Sequence, residues 1–134
     1  MKTNENRGSI SINIDEKNEM KVVFRPFNDE VWMDRNELCV LFGCSLKQID
    51  EAVETIFRKD MFRIEDTCHY HIIANGKRIS YDITEVNLSV IIALAFIITT
   101  PQVKTLRSWF IKQLFNLKNL DVPLINIEQN FILN

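Results

Sequence analysis

Residues 38–57, LCVLFGCSLKQIDEAVETIF, contain the pattern that decides the fold of this chain. An apolar segment ends at Gly43, and a second segment with apolar residues at helical spacing begins after Ser45. Glycine adopts the left-handed backbone conformation that ends many helices at little steric cost. The stretch therefore predicts two short helices joined by a tight turn, which is typical of a helix-turn-helix.

Both helices carry start signals. The first is predicted over Arg35–Phe42, with Asp34 as N-cap and Glu37 three residues later as the other half of a capping box. Ser45 is the predicted cap of the second helix. The apolar stripe of that helix consists of Leu46, Ile49, Val53, Ile56 and Phe57. Its solvent-facing side carries Lys47, Glu51, Glu54 and Arg58.

Strands precede and follow the two helices. Alternating residues predict strands at Ser9–Ile14 and Met20–Phe27 that pair as a hairpin, and residues 30–33 form a third short apolar stretch. Asn75 and Gly76 predict the turn of a second hairpin, because both positions of such a turn need a positive φ.

Two further helices follow this hairpin. The first is apolar, opens at Thr84 or Asn87 and is expected to end near Ile98. Thr100 with Pro101 then predicts the start of a last helix, which runs to about Leu117.

This order predicts an α+β fold with a winged-helix-like domain at residues 9–118. Its parts are N-terminal β-strands, a helix-turn-helix, a β-hairpin wing and C-terminal helices. Residues 1–8 are predicted to be a flexible N-terminus. Residues 119–134 are predicted to be a C-terminal arm that adds a strand or packs on a partner chain.

Composition narrows the class of protein. The net charge of −2 and the pI of about 5.7 lack the strongly basic character of many nucleic-acid binders, so any such contact must come from a local patch. Three cysteines without a CxxC pair indicate neither a disulfide framework nor a zinc knuckle. The longest apolar run, Val90 to Ile98, is far shorter than the roughly 20 residues that cross a bilayer. Together with the lack of a signal peptide, these features predict a cytoplasmic protein with no membrane partner.

Several segments, taken in order, resemble the N-terminal domain of the virulence protein RhuM family, bacterial proteins found on mobile and pathogenicity islands. The matching segments span roughly residues 9–115 and are VWM, ELCVLFG, TIF, KDMF, NGK, NLSVIIALAF and LRSWFIKQLF. The resemblance implies a DNA-binding module with a regulatory or mobile-element-associated role. The chain departs from the family in its second helix, where residues 46–54 carry three acids and one lysine instead of several cations.

The predicted DNA contacts lie on the second helix and on the wing. Lys47 and Gln48 are at the helix N-terminus, the part that usually meets bases, and Gln48 has the groups for a bidentate contact with adenine. Phosphate contacts are expected from Ser45, Lys77 and Arg78, with Arg35 and Lys104 as further anchors.

Three acids, Asp50, Glu51 and Glu54, oppose this function because they place negative charge near the DNA backbone, although Glu51 could also accept a hydrogen bond from cytosine. The alternative hypothesis is therefore a protein–protein interaction domain that keeps the helix-turn-helix fold without DNA binding.

The last helix also indicates an interface with a second copy of this chain. Its apolar stripe is widened by Trp109, Ile111 and Phe115 beyond the arc that one core contact needs. We expect a homodimer formed through this helix and the C-terminal arm.

Catalysis and cofactors are not expected. His69 and His71 share one face of a strand, but no third metal ligand is evident. The chain has three glycines and no glycine-rich phosphate loop, and no nucleophile, base and acid can be grouped by spacing. The sequence predicts no enzyme, no metal and no cofactor.

Overall fold

The computed structural model describes residues 6–117. Within this range the chain has a mixed α+β architecture with five helices and two small antiparallel sheets. The strands are β1 (Ser9–Ile14), β2 (Met20–Arg25), β3 (Met33–Asp34), β4 (Cys68–Asn75) and β5 (Arg78–Val86). The helices are α1 (Arg35–Phe42), α2 (Leu46–Arg58), α3 (Ile64–Thr67), α4 (Leu88–Ala95) and α5 (Pro101–Leu117). The predicted arm, residues 119–134, lies outside the described range, as do residues 1–5.

Helices α1 and α2 form as predicted. Asp34 caps α1 in a reciprocal capping box with Glu37, because each side chain accepts a hydrogen bond from the other residue's backbone N–H. Gly43 ends the helix with φ of 63° and ψ of 44°, the left-handed conformation expected there. A side chain at this glycine would also meet Gln102 of α5, which donates a hydrogen bond to the carbonyl of Val40.

The core lies where four of the helices meet. Its largest fully buried side chains include Leu38, Phe42, Ile49, Ile56, Ile91, Leu94, Val103 and Leu106. Val53 was expected in this core, yet it is only half-buried, because the side of α2 that carries it borders an open groove toward β5.

The first hairpin packs on α5. Strands β1 and β2 pair antiparallel, with Ile10 opposite Phe24 and Ile12 opposite Val22. The ring of Phe24 packs against the ring of Trp109, with the two ring centroids 5.3 Å apart. The second strand ends at Arg25 instead of Phe27, because Pro26 has no N–H to continue the ladder.

The second hairpin belongs to a sheet with strand order β3-β5-β4. The hairpin itself was predicted, but its turn was placed one residue too early. Asn75 pairs with Arg78, so Gly76 and Lys77 are the turn residues, and Gly76 alone of the three residues 75–77 has a positive φ. A two-residue turn that begins with glycine needs a positive φ only at that first position.

The base of this hairpin is fixed by a polar cluster. The imidazole of His69 stacks on the Trp32 ring, with the two ring centroids 3.9 Å apart. Its Nδ1 lies 2.8 Å from a carboxylate oxygen of Glu85. Arg7 contacts the carboxylates of both Glu37 and Glu85, at 2.6 and 2.5 Å. These contacts join the N-terminal segment, α1 and the hairpin.

Helix α4 starts at the cap Asn87 and ends at Ala95, three residues before the predicted end near Ile98. Thr84, the other predicted start, lies within β5. The apolar run extends three residues beyond the helix because Ile98 is buried in the core. The apolar character of Ile98 therefore reflects burial and not helical structure. Thr100 caps α5 as predicted, and its hydroxyl accepts a hydrogen bond from the Val103 N–H.

Candidate nucleic-acid interface

The N-terminus of α2 carries Ser45, Lys47 and Gln48. The Ser45 hydroxyl oxygen accepts a hydrogen bond from the Gln48 backbone N–H at 3.2 Å, and the Gln48 side-chain carbonyl accepts one from the Ser45 N–H at 3.0 Å. This carbonyl is also needed for a bidentate contact with adenine, so such a contact would have to share this oxygen with Ser45 or break the capping box. The Ser-x-x-Gln spacing is the sequence signal that could have predicted this role of Gln48.

Lys47 is the cation of this helix end. Its side chain is exposed and forms no hydrogen bond or ion pair with another described residue. Its ammonium group is therefore open to an anion at the start of α2.

Arg35 was predicted to anchor a phosphate, but it is engaged by the protein itself. Its Nε and terminal nitrogen donate to the two carboxylate oxygens of Asp50, at 2.8 and 2.5 Å. This hydrogen bonding raises the pKa of Arg35, and the nearby carboxylate of Asp82 adds to the effect. To bind a phosphate, Arg35 would have to break its hydrogen bonds with Asp50 or divide its donors between Asp50 and the phosphate.

The three acids of α2 differ in their surroundings. Asp50 is paired with Arg35, and Glu54 is paired with Arg58 one turn later at 3.2 Å. Glu51 has no ion-pair partner within residues 6–117. The repulsion expected from three carboxylates is thus reduced chiefly to that of Glu51, although exposed pairs screen each other only in part.

The tip of the second hairpin carries Lys77 and Arg78. Both side chains are exposed, and neither forms an ion pair with any other residue that the structure describes. A Cβ atom added at Gly76 beside them would have nothing within 4 Å, so the tip is sterically open. These two cations are available to an external anion.

Lys104 lies on a different surface. It lines a groove of about 530 Å³ between β2 and α5, together with Lys21 and Lys112. This groove shares no lining residue with the one between α2 and β5. The sequence places Lys104 and Lys112, about two helical turns apart, on one basic side of the last helix, but it does not single out Lys112 or Lys21 as a DNA contact.

The groove between α2 and β5 has a volume of about 560 Å³ and an acidic rim. Its charged lining residues are four carboxylates, Asp50, Glu54, Asp82 and Glu85, and two arginines, Arg35 and Arg58. The net charge of this lining is therefore −2. The surface between α2 and the hairpin does not continue the positive charge of Lys47 toward Lys77.

Residues 6–117 contain neither a metal site nor a membrane-spanning helix. No group of three or more His, Cys, Asp and Glu side chains there is arranged to hold a metal ion. No helix in this range is both long and apolar enough to cross a membrane. His69 and His71 are exposed on the hairpin while Cys68 is buried, and burial raises the pKa of the Cys68 thiol.

Comparisons with protein-family models, with curated proteins and with solved structures return no match to this chain. The architecture is that of a mixed α+β domain with two small antiparallel sheets, in which α1 and α2, joined by a tight turn, precede the β4–β5 hairpin. Membership of the RhuM family stays a prediction from the sequence.

Proposed function

We propose that this chain is a winged-helix-like DNA-binding module that contacts duplex DNA mainly through phosphates. The proposal is supported above all by one arrangement: β3, which leads into α1, pairs with β5 of the second hairpin. This pairing holds the hairpin beside the helix-turn-helix formed by α1 and α2. A wing in that place can reach the phosphates that flank a helix bound in the major groove.

The cations available for this function are few. Lys47 at the start of α2 and Lys77 and Arg78 at the hairpin tip are exposed and without an ion pair to a described residue. Phosphate contacts release counterions, so binding should weaken with salt, with a slope that corresponds to about two to four phosphates. The affinity should depend little on the base sequence of the DNA, because contacts with phosphates are the same for every sequence.

The test is a fluorescence-anisotropy titration of a mixed-sequence duplex at two salt concentrations. Lys77→Ala and Arg78→Ala should each weaken binding and lower the salt slope by about one. Lys17→Ala is the matched control, because Lys17 is also an exposed lysine in a hairpin turn. Absence of binding by the wild-type chain at low salt, or an equal loss in the Lys17 variant, would refute the proposal.

A protein–protein interaction domain is the second candidate. It is favoured by the groove between α2 and β5, whose charged residues sum to −2 and whose remaining lining is largely apolar. Such a surface suits a protein partner better than a polyanion.

We also propose that the chain forms a homodimer through α5. The second half of this helix exposes Ile111 and Leu114, and Phe96 lies exposed at the end of α4. These three side chains border a groove of about 570 Å³ that is mostly apolar. The part of this hypothesis that involves the C-terminal arm concerns residues outside the described range.

A further inference from the structure

A register shift in the second hairpin places its apolar residues, with the exception of Ile73, on one face. His69 pairs with Glu85 but Tyr70 pairs with Ile83, so Thr84 is an extra residue in β5. An extra residue of this kind changes which side chains of its strand point to a given face. The residues on the same face as the buried pair Cys68–Val86 are then Tyr70, Ile72, Ala74, Ile79, Tyr81 and Ile83. The edge-on contact of the Tyr70 and Tyr81 rings at 5.4 Å agrees with this placement.

Helix α2 covers only the base of this apolar face. Near the base, Phe57 of α2 and Ile83 of β5 are half-buried and line the groove of about 560 Å³. Toward the tip, Ile72 is 62% exposed and Ile79 is 67% exposed. An apolar surface therefore runs from the groove out along the hairpin. Contiguous exposed apolar surface of this kind marks interaction sites in soluble domains.

Carboxylates border the same groove. Asp50 and Glu54 line it from α2, and Asp82 lines it from β5. Asp50 and Glu54 are paired with arginines, while Asp82 alternates with Tyr81 and Ile83, so its side chain points to the other face of the hairpin. The net charge of −2 on the residues that line the groove favours an occupant that brings its own positive charge.

From these observations we infer that the groove and the apolar hairpin face bind a basic amphipathic segment of a partner protein. Its apolar side chains lie on Ile79, Tyr81 and Ile83, and its lysines or arginines face the carboxylates of Asp50 and Glu54 on α2. A polyanion is disfavoured by the net negative charge. A small molecule is disfavoured because the apolar surface continues well beyond the groove. The inference does not depend on DNA binding.

The test uses a fluorescently labelled leucine–lysine amphipathic helical peptide as the probe, with a leucine–glutamate peptide of the same pattern for comparison. Binding is measured by anisotropy with the full chain. Ile79→Ser should weaken binding of the leucine–lysine peptide about tenfold, which is typical for truncation of a central apolar contact. The matched control is Ile14→Ser, since Ile14 is also a strand isoleucine and is 66% exposed.

A second pair of variants tests the charge. Glu54→Gln should weaken binding of the leucine–lysine peptide several-fold, whereas Glu16→Gln, which removes an exposed charge from the first hairpin, should leave it unchanged. The inference is overturned if the leucine–glutamate peptide binds equally well, or if Ile14→Ser weakens binding as much as Ile79→Ser. It is also overturned if Ile79→Ser weakens binding of duplex DNA and not of the peptide, since the face would then belong to a DNA interface.

Discussion

Arg35 at the start of α1 and Asp50 in the middle of α2 form a two-pronged ion pair, with donor–acceptor distances of 2.8 and 2.5 Å. The pair links α1 and α2 across their exposed side. The pair also engages the guanidinium of Arg35, which could otherwise bind a DNA phosphate, and it neutralises the carboxylate of Asp50, which would otherwise repel the DNA backbone. The effective negative charge of α2 is therefore reduced by Arg35, a residue of α1.

Replacing Asp50 with Asn should strengthen binding of duplex DNA at low salt. The change removes one negative charge from α2 and releases Arg35, and an exposed charge of this kind is worth under about 1 kcal/mol, or up to roughly fivefold in affinity. Anisotropy titrations at low and high salt measure the effect. Glu16→Gln removes a charge far from α2 in the sequence, so an equal gain there would show that only net charge matters.

Loss of the capping box at the start of α2 should destabilise the domain. Ser45→Ala removes the side-chain acceptor for the Gln48 N–H, and loss of such a cap costs about 1 kcal/mol. Urea unfolding followed by tryptophan fluorescence measures the change. Ser108→Ala, at an exposed position inside α5, should be neutral or slightly stabilising. Equal stability of the Ser45 variant and the wild type would contradict a structural role for this cap.

Gly43→Ala should destabilise the domain more than Gly76→Ala. Both glycines have φ near +65°, where alanine costs about 1 kcal/mol or more. At Gly43 the new Cβ would also collide with and displace the end of the Gln102 side chain, which would lose its hydrogen bond to the Val40 carbonyl, whereas nothing lies within 4 Å at Gly76. Free energies of unfolding from denaturant titrations provide the comparison.

The collision at Gly43 has its own check. If it is real, the Gly43→Ala/Gln102→Ala variant should lose less stability than the two single variants together, since the residues share one contact. Strict additivity would mean that the backbone conformation alone accounts for the loss.

The proposed dimer should be visible by sedimentation velocity at micromolar concentration, as a species of about twice the 15.8 kDa chain mass. Leu114→Asp places a charge on the apolar surface of α5 and should give a monomer. Ile14→Asp, at a similarly exposed position on the first hairpin, should leave the dimer intact. A wild-type chain that sediments only as a monomer would exclude the hypothesis.

Local chemistry made much of the fold predictable. The caps at Asp34, Ser45, Asn87 and Thr100 and the left-handed Gly43 act within a few residues of one helix end, so the sequence carries their whole signal. The strand bounds were less certain. The turn of the second hairpin was misplaced by one residue, because Asn75 and Gly76 fit one turn type while cross-strand pairing selected another.

The sequence by itself determined the order of the strands and of the helices other than the short α3, the exposed face of α2 and the exposed cations at Lys47, Lys77 and Arg78. Only the tertiary structure decided that Asp50 is bound by Arg35, that Lys104 shares a groove with Lys21, and that Thr84 shifts the register of β5. The physical reason is distance along the chain. Caps and turns depend on neighbours a few residues away, whereas ion pairs between helices, shared grooves and strand register depend on how separate elements pack.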